Sequence, residues 1–132
     1  MKKKILVTGG CGYIGSHTVV SLIENNFEVT IIDDLSNSQE DVIDSIKEIT
    51  GIKPNFLKCD LKNKDHIDNI LKYHKGFEAI IHFAAHKAVG ESVQNPLMYY
   101  QNNLTGLINL LVCAQKYNIN NLIFSSSATV YG

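Results

Sequence analysis

The chain has 132 residues, 45% of them hydrophobic and 19% charged, with a formal net charge of −1. That composition fills one buried core and leaves no room for two domains, so one soluble globular unit is expected. The near-neutral balance argues against a nucleic-acid or membrane-surface binder. Ile5-Leu6-Val7, after the lysine run at 2–4, is far too short for a signal-peptide core or a membrane span, so a cytoplasmic protein is expected.

The first apolar run, Lys4 to Thr8, reads as a strand and leads into Thr8-Gly9-Gly10-Cys11-Gly12-Tyr13-Ile14-Gly15, followed by a helical pattern over Tyr13 to Asn25. Gly9, Gly12 and Gly15 have GxxGxxG spacing at a strand-to-helix junction. The first permits a tight turn, the second lets backbone approach a pyrophosphate, and the third lets the helix lie close to the sheet. An anion there would sit on free amides at the helix amino terminus. Strand-to-helix turns are also glycine-rich for steric reasons alone, and what decides between the readings is the next strand. Phe27 to Asp33 ends in Ile31-Ile32-Asp33-Asp34, placing an acid about twenty residues past the turn. A carboxylate there accepts hydrogen bonds from both adenosine ribose hydroxyls and repels a 2′-phosphate, which favours NAD over NADP. The simpler alternative is that Asp33 and Asp34 cap the following loop.

A helix over Gln39 to Thr50 is closed by Gly51 and Pro54, and a third strand over Asn55 to Asp60 follows. Asn63 and Lys64-Asp65 open a helix over Lys64 to His74. Glu78 to Phe83 is the fourth strand, Pro96 begins a helix reaching Tyr117, and Asn121 to Ser125 is the fifth strand. Apolar strands alternating with helices predict a Rossmann-type doubly wound α/β fold, a parallel sheet with helices on both faces and strand order 3-2-1-4-5. Because the chain ends at Gly132, just after the fifth strand, residues 1–132 are expected to be an incomplete NAD-binding domain, truncated after that strand. Asp60-Leu61, Phe83-Ala84-Ala85 and Ser125-Ser126-Ser127 fall at the same sheet edge as the glycine turn. Small or polar residues at every strand end suit a long ligand, although they also suit simple loop packing.

Cys11, Cys59 and Cys113 are odd in number and irregularly spaced, as expected of reduced thiols, and the five histidines have no paired ligand spacing. No metal site is expected. The sequon at Asn103-Leu104-Thr105 falls within a helical pattern and reads as chance. Leu97, Leu104, Leu107, Leu110, Leu111 and Ala114 in the long helix could form an oligomer interface or core, and core is the expectation for most of them.

Five segments together resemble the UDP-glucose 4-epimerases of the extended short-chain dehydrogenase/reductase family: TGGCGYIGSH at 8–17, DDLSNS at 33–38, FAAHKAVGESV at 83–93, PLMYYQNN at 96–103 and FSSSATVYG at 124–132. The resemblance implies NAD-dependent interconversion of UDP-glucose and UDP-galactose, with hydride removed from C4 of the hexose and returned through a 4-keto sugar. It implies NAD contacts at Gly9, Gly12, Tyr13, Ile14, Asp33, Asp34, Asn37, Ser38, Asp60, Leu61, Phe83, Ala84, Ala85, Lys87 and Asn102. It gives Ser127 the catalytic serine's place, and it implies a UDP-hexose substrate and a homodimer for the full-length protein. Asp34 departs from the pattern, which often has Asn there. Without the resemblance, a triple serine after a strand is usual turn chemistry and Lys87 an ordinary surface lysine.

The family's general base is the tyrosine of a YxxxK pair, whose phenol is brought down from about 10 towards neutrality by a nearby lysine. No tyrosine of this chain has a lysine four positions on, so residues 1–132 are expected to be inactive alone. Two rival readings stand beside the epimerase. One is another nucleotide-sugar enzyme of the family, such as a 4,6-dehydratase or a UDP-uronate epimerase. The other is a non-catalytic NAD-binding module.

Overall fold

The computed structural model describes residues 2–11, 13–34, 41–83 and 96–125. Strands and helices alternate along them: β1 (Lys4–Thr8), α1 (Tyr13–Glu24), β2 (Glu28–Asp33), α2 (Asp41–Thr50), β3 (Asn55–Lys58), α3 (Lys64–Tyr73), β4 (Phe77–Phe83), α4 (Pro96–Lys116) and β5 (Leu122–Ser125). The five strands form one parallel sheet in the order β3-β2-β1-β4-β5, as the alternation predicts.

Side chains alternate between the faces of a strand, so each central strand supplies two cores. Ile5 and Val7 of β1, Val29 and Ile31 of β2, and Ala79 and Phe83 of β4 point to one face, where Val19 and Ile23 of α1 and Ile43 and Ile46 of α2 cover them. Leu6, Ile32 and Ile80 point to the other, beneath Ile67, Ile70 and Leu71 of α3 and Leu110, Cys113 and Ala114 of α4. Leu6, Val7, Ile31 and Ile80 are fully buried, and burying each contributes about 1.5–3 kcal/mol. The helices therefore lie on both faces because both faces of β1, β2 and β4 are apolar.

Two expectations need correction. The third strand pairs only to Lys58, not to Asp60. The Cys59 amide still donates to the Asp33 carbonyl at 3.0 Å, after which Asp60 closes a turn. The Asp60 carbonyl accepts from the Asn63 amide, and its Oδ1 accepts from the Lys62 amide, both at 2.9 Å. An aspartate side chain that bonds its own backbone competes with the ladder and stops it. The second correction concerns α4. Leu110 and Ala114 are core and Leu107 is half-buried, whereas Leu97, Leu104 and Leu111 are 78%, 58% and 39% exposed. Seven residues make about two helical turns, so Leu97, Leu104 and Leu111 share one face of α4, whereas Leu110, Cys113 and Ala114 lie on the face that packs into the core.

Asn63 caps α3, its Oδ1 accepting from the His66 amide at 3.1 Å. The Asp68 carboxylate accepts from Lys116 Nζ at 2.8 Å and from the Tyr117 hydroxyl at 3.2 Å, tying α3 to the end of α4. Cys11, Cys59 and Cys113 are all buried and outside any disulfide. Burial first, and the Asp60 charge second, push the Cys59 thiol up to about 11, so it stays protonated. Among the described residues no helix is long and apolar enough to cross a membrane.

Candidate functional site

Parallel pairing brings the carboxyl ends of all five strands to one edge, at Thr8, Asp33, Lys58, Phe83 and Ser125. Strand order reverses between β1 and β4, the position where open α/β sheets leave a crevice for ligands. Gly9 turns the chain out of β1 with φ +74°, and its amide makes a last bond to the Ile32 carbonyl at 3.0 Å. A Cβ on Gly9 would sit 3.2 Å from Phe83 Cβ, and one on Gly10 would press into the Ile31 side chain at 2.7 Å. A Cβ on Gly15 would collide with the Gly9 carbonyl oxygen and reach 3.0 Å from Gly10 Cα. The first turn of α1 thus lies directly on the backbone of the turn before it, with no side chain between.

Asp33 ends β2, and its Oδ2 accepts from the Cys11 amide at 3.2 Å, so the acid is held across the mouth of the glycine turn. A carboxylate offers about four acceptor positions, more than one amide uses. Asp34 follows it, exposed. Asp60 and Leu61 form the turn after β3, next to β2 on the same edge. Phe83 ends β4 with its ring in the α1/α2-face core, leaving backbone for any ligand. Ile14 also packs partly against that core. Tyr13 opens α1 and Asn102 lies on α4, each placed here by its backbone. Gly12, Asn37, Ser38, Ala84, Ala85, Lys87 and Ser127 lie outside the described residues. The structure therefore gathers Gly9, Asp33, Asp34, Asp60, Leu61 and Phe83 along one edge of the sheet.

The sequence pattern of the NAD dependent epimerase/dehydratase family matches residues 5–132. The chain belongs to that family. The UDP-glucose 4-epimerase of Schizosaccharomyces pombe is 51% identical over 128 residues, covering 97% of this chain and 36% of the relative. That of Bacillus subtilis is 50% identical over 128 residues, covering 97% and 38%. The crystal structure of UDP-glucose-4-epimerase from Stenotrophomonas maltophila, with bound NAD and formylated UDP-arabinopyranose, matches with a TM-score of 0.88 at 44% identity, covering 98% of this chain and 38% of that one. The chain spans little more than a third of the length of the relatives it matches.

In this member of the epimerase/dehydratase family, four residues near the edge escaped the sequence reading. Gly106 of α4 lies where a Cβ would stand 3.0 Å from Leu61 Cβ, and the Asn109 side-chain amide donates to the Leu61 and Lys62 carbonyls at 2.9 and 3.2 Å. A glycine inside a helical pattern was the available signal for a close approach of this kind. Thr8 and His82 are the other two. The Thr8 hydroxyl and His82 Nδ1 share a hydrogen bond of 2.6 Å, and the His82 ring meets Phe124 edge-on with centroids 5.9 Å apart at 85°. Burial pushes the His82 imidazole down to about 4, so it is neutral at neutral pH. A histidine within the apolar Ile80-Ile81-His82-Phe83 run was the signal there.

Proposed function

We propose that residues 1–132 form the NAD-binding domain of a UDP-hexose 4-epimerase that interconverts UDP-glucose and UDP-galactose. The observation that carries this reading is the Asp33 carboxylate held by the Cys11 amide over a turn with no room for side chains at Gly9, Gly10 and Gly15. Bare backbone suits a pyrophosphate, the amino terminus of α1 favours its charge, and Asp33 suits an unphosphorylated adenosine ribose. Gly12, Tyr13, Ile14, Asp34, Asn37, Ser38, Asp60, Leu61 and Phe83 to Ala85 would complete the cradle. Lys87 would bond a ribose hydroxyl or support the pyrophosphate, Asn102 would also contact NAD, and Ser127 would hydrogen-bond the hexose O4 as its proton leaves. When bound, NAD would supply the oxidation and re-reduction at C4. The names of the relatives and the NAD in the Stenotrophomonas crystal structure support the same assignment.

Calorimetric titration of the protein with NAD and with NADP tests this directly. Selective binding of NAD is expected, weakened at least about tenfold in Asp33→Ala through loss of a charge-assisted acceptor. Equal affinity for the two dinucleotides, or no effect of Asp33→Ala, would defeat the assignment.

The whole protein is further proposed to be a cytoplasmic homodimer. Buried cysteines outside any disulfide support the first point. Leu97, Leu104, Ile108 and Leu111 support the second, since they recur at 7, 4 and 3 residues as an exposed apolar row on α4. Sedimentation velocity should give a dimer for the wild type and a monomer for Ile108→Lys. A wild-type monomer would remove the dimer proposal.

A further inference from the structure

Thr8 and His82 are a polar pair set into an apolar layer, and the proposed function gives neither a role. Thr8 is only 1% exposed, and both side chains share a sheet face with Leu6, Ile32 and Ile80. They form the last register pair between β1 and β4. His82 also stands opposite Phe124 of β5, whose ring meets the imidazole edge-on, so the imidazole is flanked from both neighbouring strands. Each member of the pair directly precedes a residue that shapes the crevice. Thr8 precedes Gly9, where the glycine turn begins, and His82 precedes Phe83. A Cβ on Gly9 would lie 3.2 Å from Phe83 Cβ and 3.4 Å from its carbonyl oxygen, so the two strand ends are in near contact where the strand order reverses.

We infer that the Thr8–His82 hydrogen bond is a positioning pair that fixes the separation of the β1 and β4 ends, and so sets the affinity for the NAD pyrophosphate without touching it. This rests on the NAD reading above. An apolar pair of equal volume would fill the layer but leave the lateral distance to non-directional packing, whereas a 2.6 Å hydrogen bond specifies both that distance and the ring rotation. Being neutral, the imidazole adds no charge of its own at this edge.

The test is NAD affinity by calorimetry in the wild type, Thr8→Val, Thr8→Ser and His82→Phe, with adenosine binding followed by NMR in the same samples. Thr8→Val keeps the shape and removes the hydroxyl, and His82→Phe keeps a ring but removes its nitrogen, so the bond is broken from the other strand. NAD affinity is expected to fall about tenfold in both and to stay within about twofold of the wild type in Thr8→Ser, which keeps the hydroxyl. Adenosine, which reaches only the Asp33 side, should bind all variants equally and so report that they are folded. Unchanged NAD affinity in Thr8→Val, or parallel losses for NAD and adenosine, would overturn the inference. A wild type that binds adenosine but not NAD would instead remove the NAD reading, and the positioning role with it. If one variant does not fold, the other decides the question.

Discussion

Gly15→Ala is expected to abolish measurable NAD binding and to destabilise the fold, although alanine is the better helix former. Propensity alone favours the substitution by about 1 kcal/mol. Against that, the added methyl would overlap the Gly9 carbonyl oxygen and stand 3.0 Å from Gly10 Cα, both rigid backbone rather than the movable end of a side chain. Relief requires α1 to lift off the turn, and overpacking of this kind costs about 1–3 kcal/mol, occasionally more. Because the obstacle is rigid backbone, the cost falls at the upper end of that range and exceeds the propensity gain, so a net loss of about 2 kcal/mol is expected in urea denaturation at neutral pH. The functional loss should be larger, because the same movement displaces the amides that would hold the pyrophosphate. A variant about 1 kcal/mol more stable than the wild type would show that propensity decides and that α1 does not rest on the turn.

Acid should destabilise the protein in a window that belongs to His82. Burial lowers its folded-state pKa to about 4 from an ordinary 6.5. The unfolded chain therefore takes up this proton first as pH falls. Stability from the neutral buried imidazole is fully present above pH 6.5 and is lost progressively between 6.5 and about 4. At 1.36 kcal/mol per unit, the loss amounts to about 3 kcal/mol. Asp68 does not confuse the window, because the hydrogen bond from Lys116 holds its carboxyl below 3.8, and what it contributes is lost only at lower pH. Urea midpoints at pH 7, 5.5 and 4 should fall steeply for the wild type and less for His82→Phe, whatever the variant's stability at pH 7. Parallel pH dependence in the two proteins would contradict the assignment.

Both expectations turn on the difference between what lies along the chain and what lies across it. The alternation of strands and helices and the sheet order were legible in the sequence. They follow from local patterns, apolar runs of strand length and helical spacing between them, and a parallel sheet leaves few ways to connect such pieces. The glycine turn and Asp33 were legible for a similar reason: one is a contiguous motif, and the other lies one helix away on the adjacent strand.

Tertiary structure alone decided the rest. Thr8 and His82 are 74 positions apart, and Asn109 lies 48 from Leu61. Neither pairing is marked by any local spacing, because each depends on which strand or helix becomes a neighbour and in what register. Asp33 was read as a ribose acceptor, and only the fold shows that its first partner is the Cys11 amide. The division of α4 into buried Leu110 and exposed Leu104 had the same origin: six residues of helix turn the two side chains onto different faces, and only the assembled fold decides which of those apolar faces is covered. Sequence periodicity specifies that a face is apolar, but what covers the face is settled by the lengths and positions of elements distant in the chain.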